Sequence, residues 1–108
     1  MLLQIYFDVS AEKASDFERM YQDVYVPALR KQEGYLSSKL LRLFPPHVAL
    51  EIGAATAEYN YQIELVFDTE ENRRRWAASA DHQVAWPQAV QLARNVAHRG
   101  FDIAGSDR

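Results

Sequence analysis

Residues 2–9 alternate strictly: Leu3, Ile5, Phe7 and Val9 fall on one face of an extended segment, and Leu2, Gln4, Tyr6 and Asp8 on the other. A period of two in β-forming residues predicts a strand with one face on a core. Ser10 stands where a helix N-cap belongs, with Glu12 in the turn behind it. Phe17, Met20, Tyr21, Val24 and Ala28 then recur at three- and four-residue intervals and predict one apolar helical stripe. Pro27 lies inside that pattern. Lacking an N–H, it is expected to kink or unwind the helix over residues 23–26, and Gly34 is a natural residue to end it.

A second strand is expected over residues 35–44, YLSSKLLRLF, where Pro45-Pro46 stops it. Residues 45–58 carry no period beyond the apolar triplet 48–50 and read as a long hairpin connection. The third strand, residues 59–67, sets Tyr61, Ile63, Leu65 and Phe67 against Asn60, Gln62, Glu64 and Val66. Asp68 and Glu71 have capping-box spacing and open a short helix ending near Ser79, with Arg73, Arg74 and Arg75 as a solvated face. Asp81 is expected to cap the next turn. Pro87 suits the first turn of a further helix, with Val90, Ala93 and Val96 or Ala97 as its stripe. The last strand is placed at residues 98–104, with Phe101 and Ile103 in the core, and residues 105–108 form a tail.

The element order is β-α-β-β-α-β with a split second helix, the ferredoxin-like pattern of an α+β fold. It implies a four-stranded antiparallel sheet with helices on one face, in one domain over residues 1–104. The second face of strands one and three mixes Leu2, Tyr6 and Val66 with Gln4, Gln62 and Glu64. That mixture is common at interfaces, and a two-fold homodimer is expected.

Composition narrows the function classes. A net charge of −3, with no basic run longer than residues 73–75, argues against a nucleic-acid partner. The absence of cysteine excludes disulfides, thiolate metal sites and cysteine nucleophiles. The opening MLLQIYFDVS is too short and too alternating for a signal peptide, and no apolar run approaches a membrane span, so a cytoplasmic protein without a membrane partner is expected. His47 and His98 are isolated, no acidic or histidine pair has ligand spacing, and no nucleotide or phosphate motif occurs. Neither metal nor cofactor is expected.

The runs EGYLSSKLLR, FDTEENRRRWAASADHQVAWP and RGFDIAG resemble the antibiotic biosynthesis monooxygenase-like family of dimeric α/β barrels, across residues 2–104. The resemblance implies that two subunits pair their open sheet faces into a barrel, each keeping a cleft between helices and sheet. Some members oxidise polycyclic aromatic phenols with O₂ and no cofactor; others open haem. The haem-opening branch carries an asparagine on the first strand, a tryptophan on the second helix and a histidine about ten residues beyond it. Here Trp76 matches the tryptophan, but Trp86 stands at the histidine position and the first strand offers Gln4. Haem chemistry is therefore disfavoured.

His82 is the candidate catalytic residue. Close to a helix N-terminus, its pKa is expected to fall, and a neutral imidazole accepts a proton from a phenol. Trp76, Trp86, Tyr21 and Tyr25 are the candidate substrate-binding residues: His82 and Trp86 share a face if the helix is continuous, and the two tyrosines lie one turn apart. Trp76, His82 and the tyrosines also have a plainer reading, with Trp76 and the tyrosines as packing and His82 capping a turn or bonding a backbone carbonyl. The expectation is a cofactor-independent monooxygenase of an aromatic or polyketide-like molecule; the alternative is a non-catalytic ligand-binding or structural homodimer.

Overall fold

In the computed structural model, which describes residues 1–55 and 57–107, the alternating N-terminal segment is strand β1 (Leu2–Asp8). It is a central strand, antiparallel to both β3 (Tyr61–Phe67) and β4 (Asn95–Phe101); β2 (Tyr35–Arg42) pairs with β3, giving the order β2-β3-β1-β4. Alternation in β1 and β3 translates directly into burial. Leu3, Ile5, Phe7, Tyr61, Ile63, Leu65 and Phe67 all enter the core. This is the ferredoxin-like α+β arrangement.

The first helical segment starts with a 3₁₀ turn (Ala11–Lys13) and continues as α1 (Ala14–Met20), a π turn (Tyr21–Tyr25) and α2 (Val26–Arg30). Ser10 precedes it, but its hydroxyl caps nothing. The Val26 N–H reaches back five residues to the Tyr21 carbonyl, widening the turn just before Pro27. That local widening changes which residues face inward. Tyr25 and Leu29 are buried where Val24 and Ala28 were expected, and the latter two only pack against the core's edge.

Gly34 turns the chain into β2 at φ +79°, and its carbonyl accepts from the Asp68 N–H at 2.9 Å. The expected patternless connection contains a short helix, α3 (Pro46–Glu51), with Pro46 in its first turn. Two helices follow β3. The first, α4 (Glu70–Ala77), is capped by Thr69 rather than Asp68: the Thr69 hydroxyl accepts from the Asn72 N–H at 3.1 Å, while Asp68 accepts from the Asn72 side chain. The three arginines pair with Glu70, Glu71 and Glu33 at the surface.

The second, α5 (Ala80–Val90), is capped by Ser79, not Asp81, whose carboxylate instead accepts from Gln32 at 3.0 Å. Pro87 lies inside α5 and opens no further helix. The buried stripe is therefore Ala85 and Ala89, and Val90 is 37% exposed. Strand β4 begins three residues earlier than expected, because Arg94 pairs with Asp8 at 2.8 Å and fixes the register there. Phe101 is consequently opposite Leu2 on the outer face and exposed, as is Ile103. Thr56 of the expected connection and Arg108 of the expected tail lie outside the described residues.

The helices cover one face of the sheet. The outer face carries Leu2, Val66 and Phe101 at one end, then Lys39, Glu64, Gln4 and Arg99 across the middle, and Leu41, Gln62, Tyr6 and Ala97 at the other end. No helix among the described residues is long and apolar enough to cross a membrane.

Candidate active site

Where α5 packs on α2 and the π turn, four sequence-predicted residues meet. Ser79 sets the geometry. Its hydroxyl donates to the Trp76 carbonyl at 2.7 Å and accepts from the His82 N–H at 3.1 Å, joining the end of α4 to the start of α5. The Trp76 and His82 rings then sit 4.4 Å apart. Because α5 runs on through Pro87, His82 and Trp86 occupy one helical face and stack at 5.6 Å and 27°. The π turn brings in Tyr25, edge-on to both Trp76 and His82 at 6.5 Å. Phe67 behind Trp76 and Phe7 behind Trp86 close the cluster on the sheet side.

Within this aromatic setting two polar atoms lack partners: the Tyr25 hydroxyl and His82 Nδ1 are both buried without a hydrogen bond. Orphaned buried groups are rare because each costs about 1–3 kcal/mol. Burial pushes the Tyr25 phenol well above its ordinary range, so it remains a proton donor. Burial also holds His82 below its usual value, favouring the neutral imidazole. The direction is the one expected from a helix terminus, but the cause is desolvation. With its proton on Nε2, the imidazole presents Nδ1 as an acceptor. One donor and one acceptor thus stand in a single apolar cluster, complementary to a ligand hydroxyl, which both donates and accepts.

Tyr21 goes elsewhere. It is buried, but its hydroxyl is bonded to Ser38 on β2 at 2.7 Å and it makes no ring contact with the cluster.

A second polar group was invisible in the linear pattern. The Tyr61 hydroxyl donates to Glu18, and Arg42 pairs with the same carboxylate at 2.9 Å. Bonds from Tyr61 and then Arg42 hold the Glu18 pKa below the usual carboxylate range, while burial and then Glu18 push Tyr61 up. These residues come from three elements, 24 and 43 positions from Glu18, so no spacing could reveal them. Two cavities of about 610 and 590 Å³ lie near this group, one between residues 43–44 and 57–60 and the outer sheet face, the other between α3 and α1. Neither is lined by Trp76, His82 or Trp86. Among the described residues no three His, Asp or Glu side chains form a metal-binding group.

No protein-family model and no functionally curated protein matches the sequence. Solved structures do. A single-residue variant of SnoaB, a cofactor-independent oxygenase from Streptomyces nogalater, superposes with a TM-score of 0.72 at 15% identity, covering 98% of this chain and 93% of that one. A dimeric ferredoxin-like protein of unknown function from Jannaschia sp. CCS1 gives 0.72 at 14% identity, over 94% and 96%. A proposed antibiotic biosynthesis monooxygenase from Caulobacter crescentus gives 0.65 at 14%, over 91% and 85%. At such identities the likeness is one of fold, and it is the fold that the sequence resemblance implied.

Proposed function

We propose that the chain is a cofactor-independent monooxygenase acting on a phenolic, polyketide-like aromatic molecule, working as a homodimer paired through its outer sheet face. The supporting observation is the pair of unpartnered buried atoms, Tyr25 Oη and His82 Nδ1, inside a cluster that is otherwise aromatic. The position of Tyr25 at the end of a π turn adds to it, since such turns recur at functional sites. SnoaB, a cofactor-independent oxygenase with the same fold, supports the reaction class.

In this reading Trp76 and Trp86 hold the substrate rings, and Tyr25 donates to the substrate oxygen. His82 accepts the phenolic proton at Nδ1. The phenolate is electron-rich enough to reduce O₂ itself. At a ring-flanked methylene, one oxygen atom is retained as the ketone, the other leaves as water, and the substrate supplies the electrons. Nothing in this sequence of steps calls for haem, flavin or metal. Tyr21 supports the cleft wall through Ser38 rather than touching substrate.

A second reading, a non-catalytic ligand-binding or structural dimer, is favoured by one observation. Neither described cavity is lined by Trp76, His82 or Trp86, so the ring cluster packs as core does. Oxygen uptake separates the two. Chelator-treated protein, given a hydroxylated anthrone in air, is expected to consume one O₂ per ketone formed, well above the buffer rate. Uptake at the buffer rate would favour the non-catalytic reading, and a rise in melting temperature on adding the anthrone would then make it the ligand-binding form.

A further inference from the structure

We infer that the segment Leu41 to Ile52, with α3 at its tip, clasps a second copy of this chain, and that its seat is the far end of the partner's outer sheet face. The inference rests on the dimer reading and adds the element that holds the dimer together.

The isolated chain exposes too much surface for its mass. Its accessible area is 7252 Å², where a monomeric globule of 12.4 kDa is expected to show roughly 6,100 Å². The excess of about 1,100 Å² is comparable to what one partner buries in a standard specific interface, about 800 Å². The shape agrees: the chain measures 41 × 34 × 19 Å with a radius of gyration of 14.6 Å, against about 13 Å for a compact domain of this length.

Half of the exposed large hydrophobic side chains are concentrated in one stretch. Of ten among the described residues, these five are Leu41, Leu43, Phe44, Leu50 and Ile52. Leu50 is 82% exposed on a helix that buries none of its residues. Residues 43–55 carry only Glu51 and His47 as ionisable groups, which leaves little to attract an oppositely charged partner. Phe101, opposite Leu2, which in turn pairs with Val66, forms a second exposed apolar patch.

These patches sit at opposite ends of one face. The segment leaves the sheet beside Arg42 and Tyr61, while Leu2, Val66 and Phe101 close the other end of the same strands. A two-fold operation that exchanges the ends brings each segment onto the other copy's Phe101 end, so both patches are covered twice by one contact type. The 610 Å³ cavity, lined by Leu43 and Phe44 from the segment and Tyr6 and Arg99 from the sheet, makes the segment continuous with that face.

Sedimentation equilibrium tests this with Leu50→Asp/Ile52→Asp, Phe101→Asp and, on the helical side, Val84→Asp as control. All four side chains are exposed in the single chain, so circular dichroism is expected to match the wild type, and melting of the dissociating variants to fall only by the stabilisation that association supplied. The wild type is expected at twice 12.4 kDa. The segment and Phe101 variants should dissociate about a hundredfold more readily, since a carboxylate is then buried unpaired. The control should remain dimeric. A dimeric wild type whose segment variant dimerises as tightly would overturn the clasp and leave sheet pairing standing. A monomeric wild type would overturn both.

Discussion

Replacing His82 with alanine is expected to lower turnover of a phenolic substrate by about 10²–10⁴, the usual cost of removing a positioned general base. His82→Phe is the sharper form of the same experiment, because it keeps a ring between Trp76 and Trp86 and removes only the nitrogens. Binding through the aromatic walls should change little and affinity should fall only by the lost His82 hydrogen bond, so most of the loss belongs in kcat. The pH dependence has a defined sign. Burial depresses the folded-state pKa of His82, so the neutral base persists below the ordinary value of about 6.5 and the acid limb of kcat/KM lies below that pH. Stability follows the same linkage. Below about 6.5 the unfolded chain takes up the His82 proton while the folded chain resists it, so unfolding free energy falls as pH drops through this window. In His82→Phe this contribution should vanish. Rate profiles and denaturant titrations between pH 5 and 8 read both effects.

The largest loss of stability is expected from Gly34→Ala, about 2–4 kcal/mol or roughly 10–20 °C in melting temperature. Two costs add. A residue with a β-carbon pays about 1–2 kcal/mol to hold a left-handed conformation such as φ +79°. The new carbon would also overlap the Asp68 carboxylate and the Asn72 side chain, disturbing the Asn72–Asp68 bond at the start of α4. Trp76 stands one turn beyond Asn72 on that helix, so the substitution should also loosen the ring cluster. Gly53 provides the contrast. It has a positive φ but open space around it, so only the conformational cost remains and a smaller shift is expected.

How far the sequence reaches can be judged from particular residues. Strands β1 and β3 were legible because both have one face on the core, and a period of two has no other cheap explanation. Pro27 located the distortion of the first helical segment, but not its form; the π turn decided that Tyr25 and Leu29 rather than Val24 and Ala28 turn inward. The helix starts moved because Asp68, Thr69, Ser79 and Asp81 are all competent caps, and distant groups decide among them. Gln32, 49 residues from Asp81, occupies that carboxylate. Strand β4 was misplaced for the same reason, its register being held by Arg94 and Asp8, 86 positions apart. In the site, the spacing of Trp76, His82 and Trp86 was readable along one stretch. That Tyr25 joins them while Tyr21 bonds Ser38 depends on helix rotation and on a strand, and the Glu18–Tyr61–Arg42 group depends on three elements meeting. Residue spacing carries neither.

The central claim is that the Tyr25 hydroxyl is buried without a partner because a ligand supplies one. The most direct test is the dissociation constant of a phenolic probe such as naphthol for Tyr25→Phe, measured by calorimetry beside the wild type. Removing an unsatisfied buried hydroxyl should leave the free protein as stable as before or more so, while the lost hydrogen bond weakens probe binding by about 3–10-fold. An equally stable variant that binds the probe with unchanged affinity would contradict the claim and leave the hydroxyl as a packing defect of the core.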